Sequence, residues 1–261
     1  MTPSSWFTIK NEAGAVAVEI VGPIRAGDAP GFIAALPPSS TRTIRLHVSS
    51  LGGDPVAAAT IAGALRSHPA RVEARISRIC ASAATLLPCA ANHVRIESDA
   101  AAMIHAPRMI PDDAAPPLTV RQLRKAAGEL ERIRDQMASI YGWRLKGGRD
   151  AIARLVDDES GSWFDASECI TLGLADAIAP ADVKIAAHFD AADLARLGAV
   201  PVRFRSLIAT LGRRPSSLVP EEQKPKAGAK KISIPEMYDV WNGRLSATEI
   251  YARNQRTEAG R

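Results

Sequence analysis

Val72-Glu-Ala-Arg-Ile-Ser-Arg-Ile79-Cys-Ala-Ser82-Ala-Ala-Thr-Leu-Leu87 joins two kinds of structure. Val72 to Ile79 reads as a strand, and the Ala/Leu run from Ser82 to Ala91 reads as a buried helix. A serine flanked by alanines at such a junction has little bulk around its hydroxyl. The N–H groups that follow it open a helix, where developing negative charge is favoured. That is the geometry a nucleophilic serine needs. The same serine also serves as an N-cap without any chemistry, so the rest of the chain has to decide.

Strand and helix signals alternate on both sides of this stretch. Upstream, Ala15–Val21 is β-rich and ends at Gly22-Pro23. Ala29–Leu36 reads as a short helix, Ile44–Val48 as a strand, Ser49–Pro55 as a turn, and Val56–His68 as an Ala-rich helix closed by Pro69. Downstream, His93–Ile96 and Ala102–Ile104 are short strands. Residues 106–118 carry four prolines and two aspartates and read as a loop. Leu123, Ala127, Leu130, Ile133, Met137 and Ile140 form one apolar stripe on a helix from Leu118 to Tyr141. A second helix spans Gly148–Val156, followed by the acidic turn Asp157–Gly161 and by Trp163-Phe164. Asp165 with Glu168 marks a capped helix that ends at Gly173, and Leu174–Ile178 is a last short strand. Alternation of this kind implies βαβ units and a largely parallel sheet, an α/β fold. The domain end is placed near Ala181, giving a domain of residues 1–181 and an extension of residues 182–261. In the extension, Phe189–Leu197 looks helical, 213–231 reads as a linker, and a short helix is expected around 247–254.

The totals set limits. A chain of 261 residues, 46% hydrophobic and 23% charged, suffices for one good core and a smaller appendage. No run of about 18 apolar residues occurs, and Met1–Trp6 lacks a signal-peptide pattern, so a cytoplasmic protein away from membranes is expected. Cys80, Cys89 and Cys169 are odd in number and lack metal spacing, so reduced thiols and no metal are expected. Residues 201–261 hold 12 Lys+Arg and 6 Asp+Glu, whereas the first 200 residues hold 21 and 22. The tail is therefore basic and the body close to neutral. A basic tail suits a nucleic acid, an acidic partner or plain solvation.

Open parallel sheets build sites at the carboxyl ends of their strands. Three groups fall there: the Gly52-Gly53 turn, Ser82, and His105 after Met103-Ile104. Paired glycines either make a tight turn or let backbone N–H groups approach a ligand. His47 and His68 suit structural positions, and His93 and His188 have no motif around them. Cys80, two residues before Ser82, reads as a buried thiol rather than a nucleophile.

These groups, in this order, resemble the ClpP family of serine peptidases. Ser49-Ser-Leu-Gly-Gly53 is similar to that family's Asn-Ser-Pro-Gly-Gly turn, and the distance from Gly53 to Ser82 matches without a gap. Met103-Ile-His-Ala-Pro107 resembles its Met-Ile-His-Gln-Pro. Trp163-Phe-Asp-Ala-Ser-Glu168 through Gly173-Leu-Ala-Asp176 resembles its Phe-Leu-Ser-Ala-x-Glu-Ala…Gly-Leu-Val-Asp. The resemblance covers about residues 15–180. It implies a ClpP/crotonase-like fold of stacked ββα units, with a partly disordered C-terminal extension. It also implies serine endopeptidase activity, with Ser82 as nucleophile, His105 as general base, and the N–H groups of Gly53 and Ala83 as the oxyanion hole. Counting back from Trp163 puts Gly161 at the family's Asp position; counting forward from Ile152–Arg154 puts Glu159 there. Glu159 is preferred as third member, with Asp158 as runner-up.

The resemblance further implies a polypeptide substrate, a homo-oligomeric ring, no cofactor, and room for an ATP-using unfoldase partner. Departures are visible: the glycines flanking the family's serine are missing, with Ala84 in the small-residue slot. Its Gly-rich segment after the histidine is replaced by Met109–Pro117. Glu249-Ile-Tyr-Ala-Arg-Asn254 looks like the endings of phage head maturation proteases, which process capsid and scaffold proteins. Two other readings stay open. One is a non-catalytic ring or scaffold protein with a decayed triad. The other is a crotonase-type acyl-CoA enzyme, which would not need Ser82 and His105 together.

Overall fold

The computed structural model describes residues 6–12, 14–109, 117–181, 189, 191–195 and 197–211. The sequence's expectations for 110–116, 182–188, the linker over 213–231 and the helix over 247–254 lie outside the described residues.

The frame is one eight-stranded sheet, parallel except at two of its pairings. β1 (Phe7–Glu12) pairs antiparallel with β2 (Ala15–Val21). β2 continues in parallel to β3 (Thr43–Ser50), β4 (Arg71–Ala81), β5 (His93–Glu97) and β8 (Ala177–Ala179). β6 (Ala101–Ile104) leaves this path: it pairs parallel with the end of β4 and antiparallel with β7 (Ser162–Phe164). The largely parallel α/β arrangement is the one the alternation of signals implies. β1 was not legible in it, because Lys10-Asn-Glu12 is polar and mostly exposed.

The helices form where cap chemistry and apolar spacing agree. α1 (Asp28–Ala35) buries Ala29 and Phe32. α2 (Pro55–Ser67) has Pro at its first turn, and its N-cap Asp54 accepts from the Ala57 N–H at 2.7 Å. Its face of Ala58, Ile61, Ala62 and Leu65 is buried; Ile61 and Leu65 each contribute about 1.5–3 kcal/mol by leaving water. α4 (Val120–Tyr141) opens with a Thr119–Gln122 capping box. Its expected apolar stripe reaches the core only in its second half, through Ile133, Met137, Ile140 and Tyr141. Val120 and Leu123, at 62% and 53% exposure, remain in solvent. α5 (Gly148–Val156) buries Ile152 and Val156. α6 (Ala166–Leu172) has the expected Asp165–Glu168 capping box and ends at Gly173 with φ +86°.

A second apolar cluster forms beside β4 and β6. Phe189, Leu197, Phe204 and Leu211 pack there with Ile79, Ala81, Ala101, Met103 and Trp163. α7 (Ala191–Ala195) packs its partly buried Leu194 against this cluster and α8 (Arg205–Leu211) supplies Leu211, so the described part of the extension within 189–211 adds to the body's core. Among the described residues no helix is long and apolar enough to cross a membrane.

Candidate active site

The sheet's register brings Ser82 and His105 together. β3 and β4 run in step to Val48↔Ile76, but Ser50 then faces Cys80, so β4 carries two extra residues there. Arg78 lies in that bulge with φ +56°. Before the bulge β4 pairs with β5; after it β4 turns to β6, ending at Ala81↔Met103. Neighbouring parallel strands therefore end side by side, with Ser82 following one and His105 closing the other. The His105 Nε2–Ser82 Oγ distance is 2.8 Å.

Ser82 opens a 3-10 turn, Ser82–Thr85, that leads into α3 (Leu86–Cys89). The helix expected over 82–91 is thus shorter and begins more tightly wound. Ser82 has φ +55°, a conformation costing a non-glycine residue roughly 1–2 kcal/mol, so its surroundings must hold it there. A buried hydroxyl relay does so. Tyr141 OH lies 2.7 Å from Thr85 Oγ1, which donates to the Ser82 carbonyl at 2.6 Å. Nothing in the sequence around Ser82 points to Tyr141, which arrives from the far end of α4.

The glycine turn presses on the serine from the other side. A Cβ on Gly52 would lie 2.6 Å from Ala81 O, 2.8 Å from Ala83 N and 2.9 Å from Ser82 Cβ. Only a residue without a side chain allows this approach. Gly53 is equally constrained, since a Cβ there would lie 2.0 Å from Ile24 O. The turn is tied down by Ile24 N–H to Gly52 O and Asp54 N–H to Ile24 O, each 2.8 Å. Ser50 Oγ accepts from Gly52 N–H at 3.1 Å and donates to Gly22 O at 2.5 Å. The Gly53 N–H has no acceptor among the described residues. Ala83 is second in its turn, where an N–H lacks an intrahelical partner.

His105 is 8% exposed. Its Nδ1 lies 2.5 Å from the Ala106 carbonyl oxygen and 3.3 Å from Arg108 Nε. Glu159 is exposed and shares no hydrogen bond with the imidazole. Asp158 comes nearer: its backbone carbonyl accepts from Ala106 N–H at 2.9 Å, and its carboxylate acts electrostatically on the ring. That carboxylate is engaged by its own turn. It accepts from Ser160 N–H and Oγ–H, Gly161 N–H and Ser162 Oγ–H, and these bonds hold its pKa down at about 2. Gly161, with φ +91°, stands against His105; a Cβ there would be 3.6 Å from His105 Cβ and 3.2 Å from Met103 Sδ. The gap-free count from Trp163 thus points at a residue that stands beside the His105 Cβ, and that residue has no carboxylate. The preferred third member, Glu159, is not brought to the ring, because the Asp158 side chain closes the turn inward while Glu159 points to solvent.

Burial, then the Arg108 cation, lower the basicity of His105, while the Ala106 carbonyl and Asp158 act the other way. Cys80 is fully buried, and burial pushes its thiol well above the usual range, so it does not compete with Ser82 as a nucleophile. Burial likewise raises the Cys89 and Cys169 thiols to about 12. All three cysteines are free. Among the described residues no group of His, Cys, Asp and Glu could hold a metal ion.

The family model described as Clp protease matches residues 17–182, which include every group of this site. No curated protein matches the chain.

Proposed function

The chain belongs to the Clp protease family, and on that premise we propose that it is a serine endopeptidase acting through an acyl-enzyme on Ser82. The observation that carries this reading is the 2.8 Å contact between Ser82 Oγ and His105 Nε2 beside the glycine turn. With Nδ1–H donated to the Ala106 carbonyl, Nε2 keeps a lone pair and accepts the Ser82 proton. Ser82 Oγ attacks the scissile carbonyl, and the N–H groups of Gly53 and Ala83 receive the oxyanion. His105 then passes its proton to the leaving amine. Water, deprotonated by the same imidazole, hydrolyses the ester and frees Ser82. The Ala106 carbonyl orients the ring, and Asp158 supplies negative charge nearby without a direct bond.

The substrate is a polypeptide, and assembly into a homo-oligomeric ring would confine its cleavage. The tail motif Glu249–Asn254 supports a capsid-processing member of the family. The test is intact-mass analysis after fluorophosphonate treatment of the full chain and of Ser82→Ala. One adduct on wild type, absent from Ser82→Ala, is expected. No adduct on folded, assembled protein would overturn the peptidase reading in favour of a scaffold with a decayed triad.

A further inference from the structure

Two groups at His105 Nδ1 ask opposite things of it. The Ala106 carbonyl, at 2.5 Å, needs a proton on Nδ1. Arg108 Nε, at 3.3 Å, is a donor and needs the lone pair. A guanidinium keeps its protons at any ordinary pH, so Arg108 never becomes an acceptor. The ring has one proton to place. On Nδ1 it leaves Nε2 free to accept from Ser82. On Nε2 it points at Ser82 Oγ, 2.8 Å away, and the serine proton has no base to go to.

We propose that Arg108 is a positioning residue that competes with the Ala106 carbonyl for His105 Nδ1 and so holds part of the population in the tautomer that cannot activate Ser82. The role of the tautomer rests on the peptidase reading; the competition at Nδ1 does not. The shorter Ala106 contact makes the productive tautomer the major one, and Arg108 sets how large the remainder is. Among the described residues, the charged groups facing the ring are Arg108 from its own loop and Asp158 from the turn between α5 and β7; the facing group beyond β4 is the neutral Ser82. The guanidinium opposes the imidazolium that forms during acyl transfer, and Asp158 favours it. At the place where a triad has its carboxylate, this site therefore carries a cation that restrains it. The sequence signal was an Arg three residues after the histidine, next to Pro107.

The test follows hydrogen–deuterium exchange at the imidazole C2 position of His105 against pH. It is read by mass spectrometry on the full chain for wild type, Arg108→Leu and Arg108→Gln. The thermal-unfolding midpoint of each variant reports whether it is folded. In Arg108→Leu the His105 midpoint should rise by about half a unit to one unit. The fluorophosphonate labelling rate on its high-pH plateau should rise by up to about twofold as the unproductive minority tautomer is lost. Arg108→Gln, which keeps a donor without the charge, should raise the midpoint with a smaller gain in plateau rate. An unchanged His105 midpoint in both folded variants would overturn the competition; a raised midpoint with an unchanged plateau would overturn the tautomer. If wild type forms no adduct, the failure falls on the peptidase reading, and the exchange midpoints still decide the role of Arg108.

Discussion

Gly52→Ala tests how tightly the glycine turn and the serine are built against each other. The added methyl would meet the Ala81 carbonyl at 2.6 Å, the Ala83 nitrogen at 2.8 Å and Ser82 Cβ at 2.9 Å. Two of the three are backbone atoms and cannot swing aside. At φ +88° the new residue also bears roughly 1–2 kcal/mol of left-handed strain. Overpacking adds about 1–3 kcal/mol. The turn cannot retreat freely, because Ser50 Oγ, Ile24 N–H and Ile24 O hold it. A loss of about 2–5 kcal/mol follows, and Ser82 shifts relative to His105. A displacement of about 1 Å costs on the order of a hundredfold in a positioned reaction. Expected results are a Tm lowered by roughly 5–15 °C and a similar hundredfold fall in fluorophosphonate labelling. Gly63→Ala is the control: it lies inside α2 with nothing within 4 Å of its added methyl, and should stabilise by about 0.5–1 kcal/mol. Wild-type Tm and labelling rate in Gly52→Ala would refute the reasoning.

Other perturbations probe the same site from different sides. Thr85→Val removes the hydroxyl between Tyr141 and the Ser82 carbonyl and leaves the buried Tyr141 hydroxyl unpaired; a loss of about 1–3 kcal/mol in urea unfolding and slower labelling are expected. Glu159→Ala should label within twofold of wild type, since Glu159 does not bond to the ring; Asp158→Asn should slow labelling and move the acid limb of its pH profile to lower pH, as the neighbouring negative charge is lost. The folded-state pKa values of His105 and His47 lie below 6.5, each chiefly through burial. As pH falls from about 6.5 towards those values the unfolded chain takes up the extra protons, so stability is present above that window and is lost within it. Tm should therefore drop between pH 7 and pH 5, and His105→Gln should flatten the drop; a steeper drop in that variant would contradict the assignment.

The order Gly52-Gly53, Ser82, His105 was legible because parallel strands end at one edge, and each residue closes or follows a stretch with strand patterning. The helix limits were legible where local chemistry sets them: Asp54-Pro55, Thr119 with Gln122, Asp165 with Glu168, and Gly173. The third site member was not legible in this way. Whether Asp158 or Glu159 approaches His105 depends on which carboxylate its own turn folds inward, and four donors from Ser160, Gly161 and Ser162 decide that. The packing of Phe204 and Leu211 on Trp163 and Met103 was hidden for a similar reason, since short helices take their stability from distant partners. By itself, then, the sequence determined what depends on neighbours along the chain: strand and helix identity, caps, and the chemistry available at the strand ends. Tertiary structure alone decided what depends on distances across it. It set the two-residue bulge that swings β4 from β5 to β6, the tyrosine beneath the serine, and the arginine that meets the histidine where a carboxylate was expected. Those contacts rest on fractions of an ångström between residues far apart in the chain, and no local pattern records them.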